Sequence, residues 1–295
     1  MFYIRNNEFM SDIIDINFND ENTPEYLNPN KHPSFRLALN DIDFMRRPEM
    51  RGDRLANEYK KAEYILGDWG IKSTITVFGS ARIKSPQVAN SDFEDAKNQK
   101  VSKNVLDDKK AAVKMSRFYD DCVEFTKMAA ELGGSKNPYG RNRHNVIASG
   151  GGPGIMEAAN KGAWLAGAPN IGFGVELPFE SGNNNFITPP LSFNFHYFAI
   201  RKFHMVQRAS AVVVFPGGLG SMDEFAEAMT LRQTNKSHPF LTVLYGKEYW
   251  ERVIDFDYMA DCGMISRADK DLIIMADTPE EAWFGLVDAG LEIPE

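Results

Sequence analysis

An arginine, Arg201, and a glutamate, Glu224, stand 23 positions apart, and Glu224 closes the segment AVVVFPGGLGSMDE (211–224). A carboxylate can stabilise developing positive charge or activate a water, and the planar donors of arginine suit a phosphate or a departing base. Gly217, Gly218 and Gly220 follow an apolar run that suits a buried parallel strand. They let backbone N–H groups approach an anion at the N-terminus of the next helix, so the expected ligand carries a phosphate. Each side chain also has a structural reading. Ser221-Met-Asp-Glu224 fits the S-x-x-E capping box, with Ser221 as the N-cap. Arg201 and Lys202 fit surface ion pairs.

A second glycine loop, SGGGPG (149–154), lies between a strand pattern and a helix pattern. It misses the G-x-G-x-x-G register because Ile155 stands where the third glycine belongs. A Walker loop is absent too: Gly246-Lys247, the one Gly-Lys pair, is followed by Glu248. Two glycine loops at the carboxyl ends of parallel strands can face one crevice, which suits a mononucleotide.

The elements that would hold these residues alternate. Strands are predicted at Ser73 to Arg82 (entering a small-residue loop), 145–148, 171–177, 192–198, 211–215, 240–245 and 271–276. Helical spacing appears at Glu49 to Trp69 (Leu55, Tyr59, Ala62, Leu66, Trp69), at 116–132 (Tyr119, Cys122, Phe125, Met128 or Ala129, Leu132), at 155–165 and from Ala199 to about Arg208. The fold expected is an α/β, Rossmann-like doubly wound parallel sheet: a partly helical N-terminal extension (1–72), then a nucleotide-binding catalytic domain (73–295). An insertion at about 84–115 is rich in lysine and aspartate and reads as a surface segment or poorly packed helix of variable order. Phe193, Phe195, Tyr197 and Phe198 read as core, although one ring could cover a purine.

Composition narrows the partners. With 33 basic and 41 acidic residues the formal charge is -8, which disfavours a nucleic-acid partner. Cys122 and Cys262 show no metal-ligand or CxxC spacing, and the five histidines form no HExxH motif, so neither a metal nor a disulfide framework is expected. The charge-interrupted N-terminus lacks a signal-peptide core, and no apolar run suits a membrane helix, so a cytoplasmic location is expected.

PGGLGSMDE resembles the PGGxGTxxE signature of the Lonely Guy family of phosphoribohydrolases, long mislabelled as lysine decarboxylases, and Arg201-Lys202 agrees with the family's upstream RK pair. VFGSAR, SGGGPGIMEAANKGA, IGFGVELPFE and FHYFAIRK extend the likeness, in order, to the longer bacterial branch over roughly Glu49 to Asp288. The resemblance implies a homodimer or higher homo-oligomer, no cofactor, and hydrolysis of a nucleoside 5′-monophosphate such as AMP or a cytokinin-like purine nucleotide to free base and ribose 5-phosphate. It implies Arg201 and Glu224 as catalytic, with Pro216, Gly217, Gly218, Leu219, Gly220, Ser221 and Asp223 around the phosphate. Ser221 stands where the family has threonine, which keeps the hydroxyl. Gly79, Ser80, Gly150, Gly151, Gly152 and Gly154 match other nucleotide-contact segments, with Lys202, Glu180 and Thr230 as further candidates. Two other classes stay open: a non-catalytic nucleotide-binding sensor or carrier, and a decarboxylase, which would need a pyridoxal-binding lysine.

Overall fold

The computed structural model describes residues 28–176 and 182–294. The chain divides into two units, Met1–Ala56 and Asn57–Glu295. The described part of the first consists of short turns of 3-10 helix and one short helix, α1 (Ile42–Arg46), whose N-cap Asp41 accepts from two backbone N–H groups. Helix α2 (Arg51–Asp68) begins in the first unit and runs on into the second. Ala62 and Leu66 are its buried residues, both on the face that the apolar spacing predicts.

The second unit is built on seven strands: β1 (Thr74–Phe78), β2 (Val146–Ser149), β3 (Asn170–Val175), β4 (Ser192–Phe195), β5 (Ala209–Val214), β6 (Leu241–Tyr245) and β7 (Ile273–Ala276). All pair in parallel, in the order β4-β3-β2-β1-β5-β6-β7. The chain thus winds outward from β1 to β4, returns to β5 beside β1, and winds outward the other way. The switch point between β1 and β5 is where such sheets open a crevice at their carboxyl ends.

The remaining helices are α3 (Pro86–Asn98), α4 (Lys103–Met115), α5 (Arg117–Leu132), α6 (Ile155–Leu165), α7 (Phe198–Gln207), α8 (Leu219–Gln233), α9 (Lys247–Val253), α10 (Phe256–Asp261), α11 (Arg267–Lys270) and α12 (Pro279–Asp288). Strand residues alternate between two cores, as a pleated strand buried on both faces requires. Ile75, Val77, Ala211 and Val213 join α5, α6 and α12, whereas Phe78, Val212 and Val214 join α2, α7, α8 and α9.

Two polar devices fix the layers. Arg208, just after α7, grips Glu63 of α2 with both guanidinium nitrogens, at 2.5 and 2.7 Å. Buried Asn160 on α6 accepts from Ser149 (2.7 Å) and Asn184 (2.9 Å) and donates to Asn170 (2.9 Å) and the Ile171 carbonyl (3.1 Å). Asn184 also donates to the Gly151 and Gly152 carbonyls, so the loop after β2 is tied to the segment before β4.

Several sequence expectations are corrected. The 84–115 insertion folds as α3 and α4, with Ala89 and Ala96 buried; alanine suffices where two helices approach closely, so few large apolar residues are needed. β4 ends at Phe195 and α7 starts at Phe198. Leu132 is exposed at the end of α5, because the buried face of that helix runs through Thr126, Ala129 and Ala130. Leu177 lies outside the described residues.

Candidate active site

At the switch point a cavity of about 1040 Å³ is lined by residues from both sides of the sheet. Its floor is the ends of β1 and β5: Gly79 and Ser80 after one, Pro216 to Ser221 after the other. These loops are stitched together, since the Ser80 N–H donates to the Pro216 carbonyl (3.1 Å) and the Ser80 carbonyl accepts from Ile155 N–H (3.1 Å). Gly154, at φ +69°, lets the second glycine loop pass against the Ser80 and Ala81 backbone where a Cβ would collide.

Helix α8 begins at Leu219, with Gly218 as N-cap and no side-chain cap. This overturns the reading of Ser221 as N-cap: Ser221 sits inside the first turn, so no Ser221–Glu224 capping box forms. The S-x-x-E pattern is present, but the Pro-Gly-Gly turn starts the helix earlier. Ser221 and Glu224, three residues apart, therefore share one helical face, and both line the cavity. The N–H groups of the uncapped first turn open toward the same space, as anion sites at helix N-termini do. Tyr249 on α9 donates its hydroxyl to the Gly217 carbonyl (2.6 Å) and braces the turn from below.

Arg201 comes from the opposite side, on the first turns of α7. It is buried, at 7% exposure, and its Nε donates to the Phe173 carbonyl at 2.7 Å. Its guanidinium lies 3.5 Å from Glu224. Gly150 makes this approach possible, because a Cβ there would overlap the guanidinium and press on the Met156 sulfur. Glu58 of α2 accepts from the backbone N–H of His196 (2.9 Å) and Tyr197 (3.2 Å), the entry to α7, and so anchors the helix that carries Arg201.

The Glu224 side chain is only 15% exposed. Burial pushes its carboxyl up to about 7, opposed by the neighbouring Arg201 charge and reinforced by Asp223. A carboxylate poised there exchanges a proton readily near neutral pH.

The other residues anticipated from sequence are spread more widely. Lys202 turns from the cavity to Asp223 (2.9 Å) and Glu227 (2.5 Å); burial opposes its charge, yet the two carboxylates hold the ammonium pKa above its ordinary value. Thr230 bonds the Ala226 carbonyl farther along α8. Gly152 lines a separate hollow of about 320 Å³ shared with Gly150, and Gly151, at φ +76°, faces Asn183. Glu180 lies outside the described residues. The aromatic cluster divides, with Phe193 and Phe195 buried in the core and Phe198 at the cavity beside Arg201. Tyr249, Met156 and the inner face of α4 were not anticipated. Among the described residues, no group of three or more His, Cys, Asp or Glu could hold a metal ion, and no helix is long and apolar enough to cross a membrane.

Comparison with known proteins gives an independent line. Residues 156–286 match a family model described as "possible lysine decarboxylase". A stretch of 82 residues, 28% of this chain, is 29% identical to a "probable cytokinin riboside 5'-monophosphate phosphoribohydrolase" of Oryza sativa subsp. japonica; it spans 39% of that relative's length. Two solved structures align at low similarity. One is TM1055, a structural-genomics target (TM-score 0.40, 17% identity, 73% of this chain and 99% of that one). The other is a molybdenum cofactor binding protein from Rippkaea orientalis (TM-score 0.39, 19% identity, 58% and 86%). The family match and the curated relative bear out the likeness to the Lonely Guy family read from the glycine loops and the RK pair.

Proposed function

We propose that this chain hydrolyses the N-glycosidic bond of a nucleoside 5′-monophosphate, with AMP or a related purine nucleotide as substrate, releasing the free base and ribose 5-phosphate. The observation that carries the reading is the pairing of a buried carboxylate, Glu224, with Arg201 at 3.5 Å, one helical turn from the uncapped start of α8. The partial likeness to a probable phosphoribohydrolase supports it.

The phosphate sits against the N–H groups of the Gly217 to Ser221 turn and the Ser221 hydroxyl, which places C1′ toward Glu224. As the C1′–N bond breaks, its electron pair leaves with the base and positive charge grows on the ribose; the Glu224 carboxylate stabilises that charge. A water oxygen then bonds to C1′ and gives its proton to Glu224, while the departing base takes up a proton from solvent. Arg201 orients the nucleotide and offsets charge on the phosphate or departing base. A decarboxylase reading finds less support. Pyridoxal chemistry needs a lysine whose ammonium deprotonates readily, whereas Lys202 is held charged by two carboxylates and, among the described residues, no lysine lines the cavity.

The test is a screen of purine and pyrimidine monophosphates with chromatographic detection of free base. Release by the wild type, lost in Arg201→Ala, is expected. Nucleotide binding without release would make the protein a binding module and overturn the hydrolase reading.

A further inference from the structure

Helix α4 belongs to the insertion at about 84–115, which carries none of the segments on which the Lonely Guy resemblance rests, yet it forms a wall of the cavity. Asp108, Ala111, Ala112 and Met115 line it, at spacings of three, one and three. That is the i, i+3, i+4, i+7 stripe of a single helical face. The helix is also held in place. Asp92 of α3 receives Lys109 of α4 at 3.0 Å and Lys84, from the chain leaving β1, at 2.8 Å, so one carboxylate ties both inserted helices to the loop beneath the cavity.

The chemistry of this face is selective. Two alanines leave room for a flat ring, and the Met115 thioether is a soft contact for an aromatic edge. Asp108, exposed to solvent at the rim, offers only acceptors, and its carboxylate makes no hydrogen bond or ion pair among the described residues. In a nucleoside 5′-monophosphate the phosphate and the base leave the ribose from different carbons. With the phosphate on the α8 turn and C1′ at Glu224, the base extends toward the remaining wall.

We propose that α4 is the base-recognition wall and that Asp108 accepts a hydrogen bond from an exocyclic amino group, so that the site selects amino bases over their oxo counterparts. The proposal rests on the nucleotide reading of the cavity given above. Where adenine turns its amino group to the carboxylate, an oxo base turns a carbonyl oxygen, so at this solvent-facing rim a hydrogen bond is exchanged for a contact between two acceptors and the preference is modest.

The test is calorimetric binding of AMP, IMP and ribose 5-phosphate to the wild type, Asp108→Ala and Ala112→Trp. The wild type is expected to bind AMP about tenfold more tightly than IMP. Asp108→Ala should bring the two affinities together, and Ala112→Trp should weaken AMP by about tenfold or more by filling the ring space. Neither substitution should change the affinity for ribose 5-phosphate, which has no base. Equal AMP and IMP affinities in the wild type, an unchanged ratio in Asp108→Ala, or ribose 5-phosphate weakened as much as AMP would each overturn the assignment. Because the readout is binding, the two readings fail separately: the expected pattern without base release refutes hydrolysis and keeps the wall, whereas release with no AMP preference does the reverse.

Discussion

Replacing Glu224 with glutamine keeps the shape of the side chain and removes its charge. In the wild type, a carboxyl titrating at about 7 is roughly one-tenth ionised at pH 6 and nine-tenths ionised at pH 8. Since hydrolysis needs the ionised form, kcat/KM should climb by about tenfold over that interval. The Gln variant should lose about 10²- to 10⁴-fold at pH 8 and show no such limb. Stability should move the other way. The fold holds this carboxyl above its unfolded value of 4.5, so its protonated form is favoured and the wild type loses stability as pH rises from 4.5 through 7. Moving a pKa from 4.5 to about 7 corresponds to about 3 kcal/mol, a net figure in which burial outweighs the attraction of Arg201. Urea unfolding of both proteins at pH 5 and pH 8 should therefore show the variant gaining on the wild type at the higher pH. A wild-type rate that is flat between pH 6 and 8, or a Gln variant with near wild-type turnover, would refute the role given to Glu224. A stability difference independent of pH would refute the burial argument.

Gly150→Ala should fold normally, because its Cβ meets only the ends of the Arg201 and Met156 side chains, and should lose about 10²-fold in kcat as the guanidinium is displaced; circular dichroism with single-turnover kinetics separates the two effects. Tyr249→Phe removes the bond to the Gly217 carbonyl, and about 1 kcal/mol predicts a rise in KM of about fivefold, measured by initial rates. Asn160→Ala leaves buried partners on Ser149, Asn170 and Asn184 unmatched and should cost about 2 kcal/mol or more by denaturant unfolding.

The parallel sheet was legible because β-branched runs alternate with helical spacing, and α6 falls on the predicted 155–165. Arg201 and Glu224 were legible as candidates because a strand, a glycine turn and a helix place them at one end of the sheet. Their contact was not. It depends on Arg201 reaching beneath Gly150 to the Phe173 carbonyl, a meeting of three segments that no local pattern encodes. The start of α8 was misread because a capping box and a turn that begins a helix at its own glycine share the same letters. Tyr249 and Glu58 act through bonds across 32 and 138 positions, and Asn184 ties the loop after β2 and Asn160 through bonds across 24 to 33, distances at which periodicity carries no information. The stripe on α4 was hidden by its alanines, since a face made of small residues has little apolar contrast.

The position of the Arg201–Glu224 pair also bears on how the chain folds. The arginine is carried between β4 and β5, takes its backbone anchor from β3, and meets a carboxylate that follows β5. The pair can assemble only after the chain has turned back from the outermost strand β4 to lay β5 beside β1. That return is the longest-range step in the sheet and is slow to nucleate. Base release during refolding is therefore expected to lag behind the recovery of helical signal, making activity a report on completion of the sheet rather than on collapse of either half.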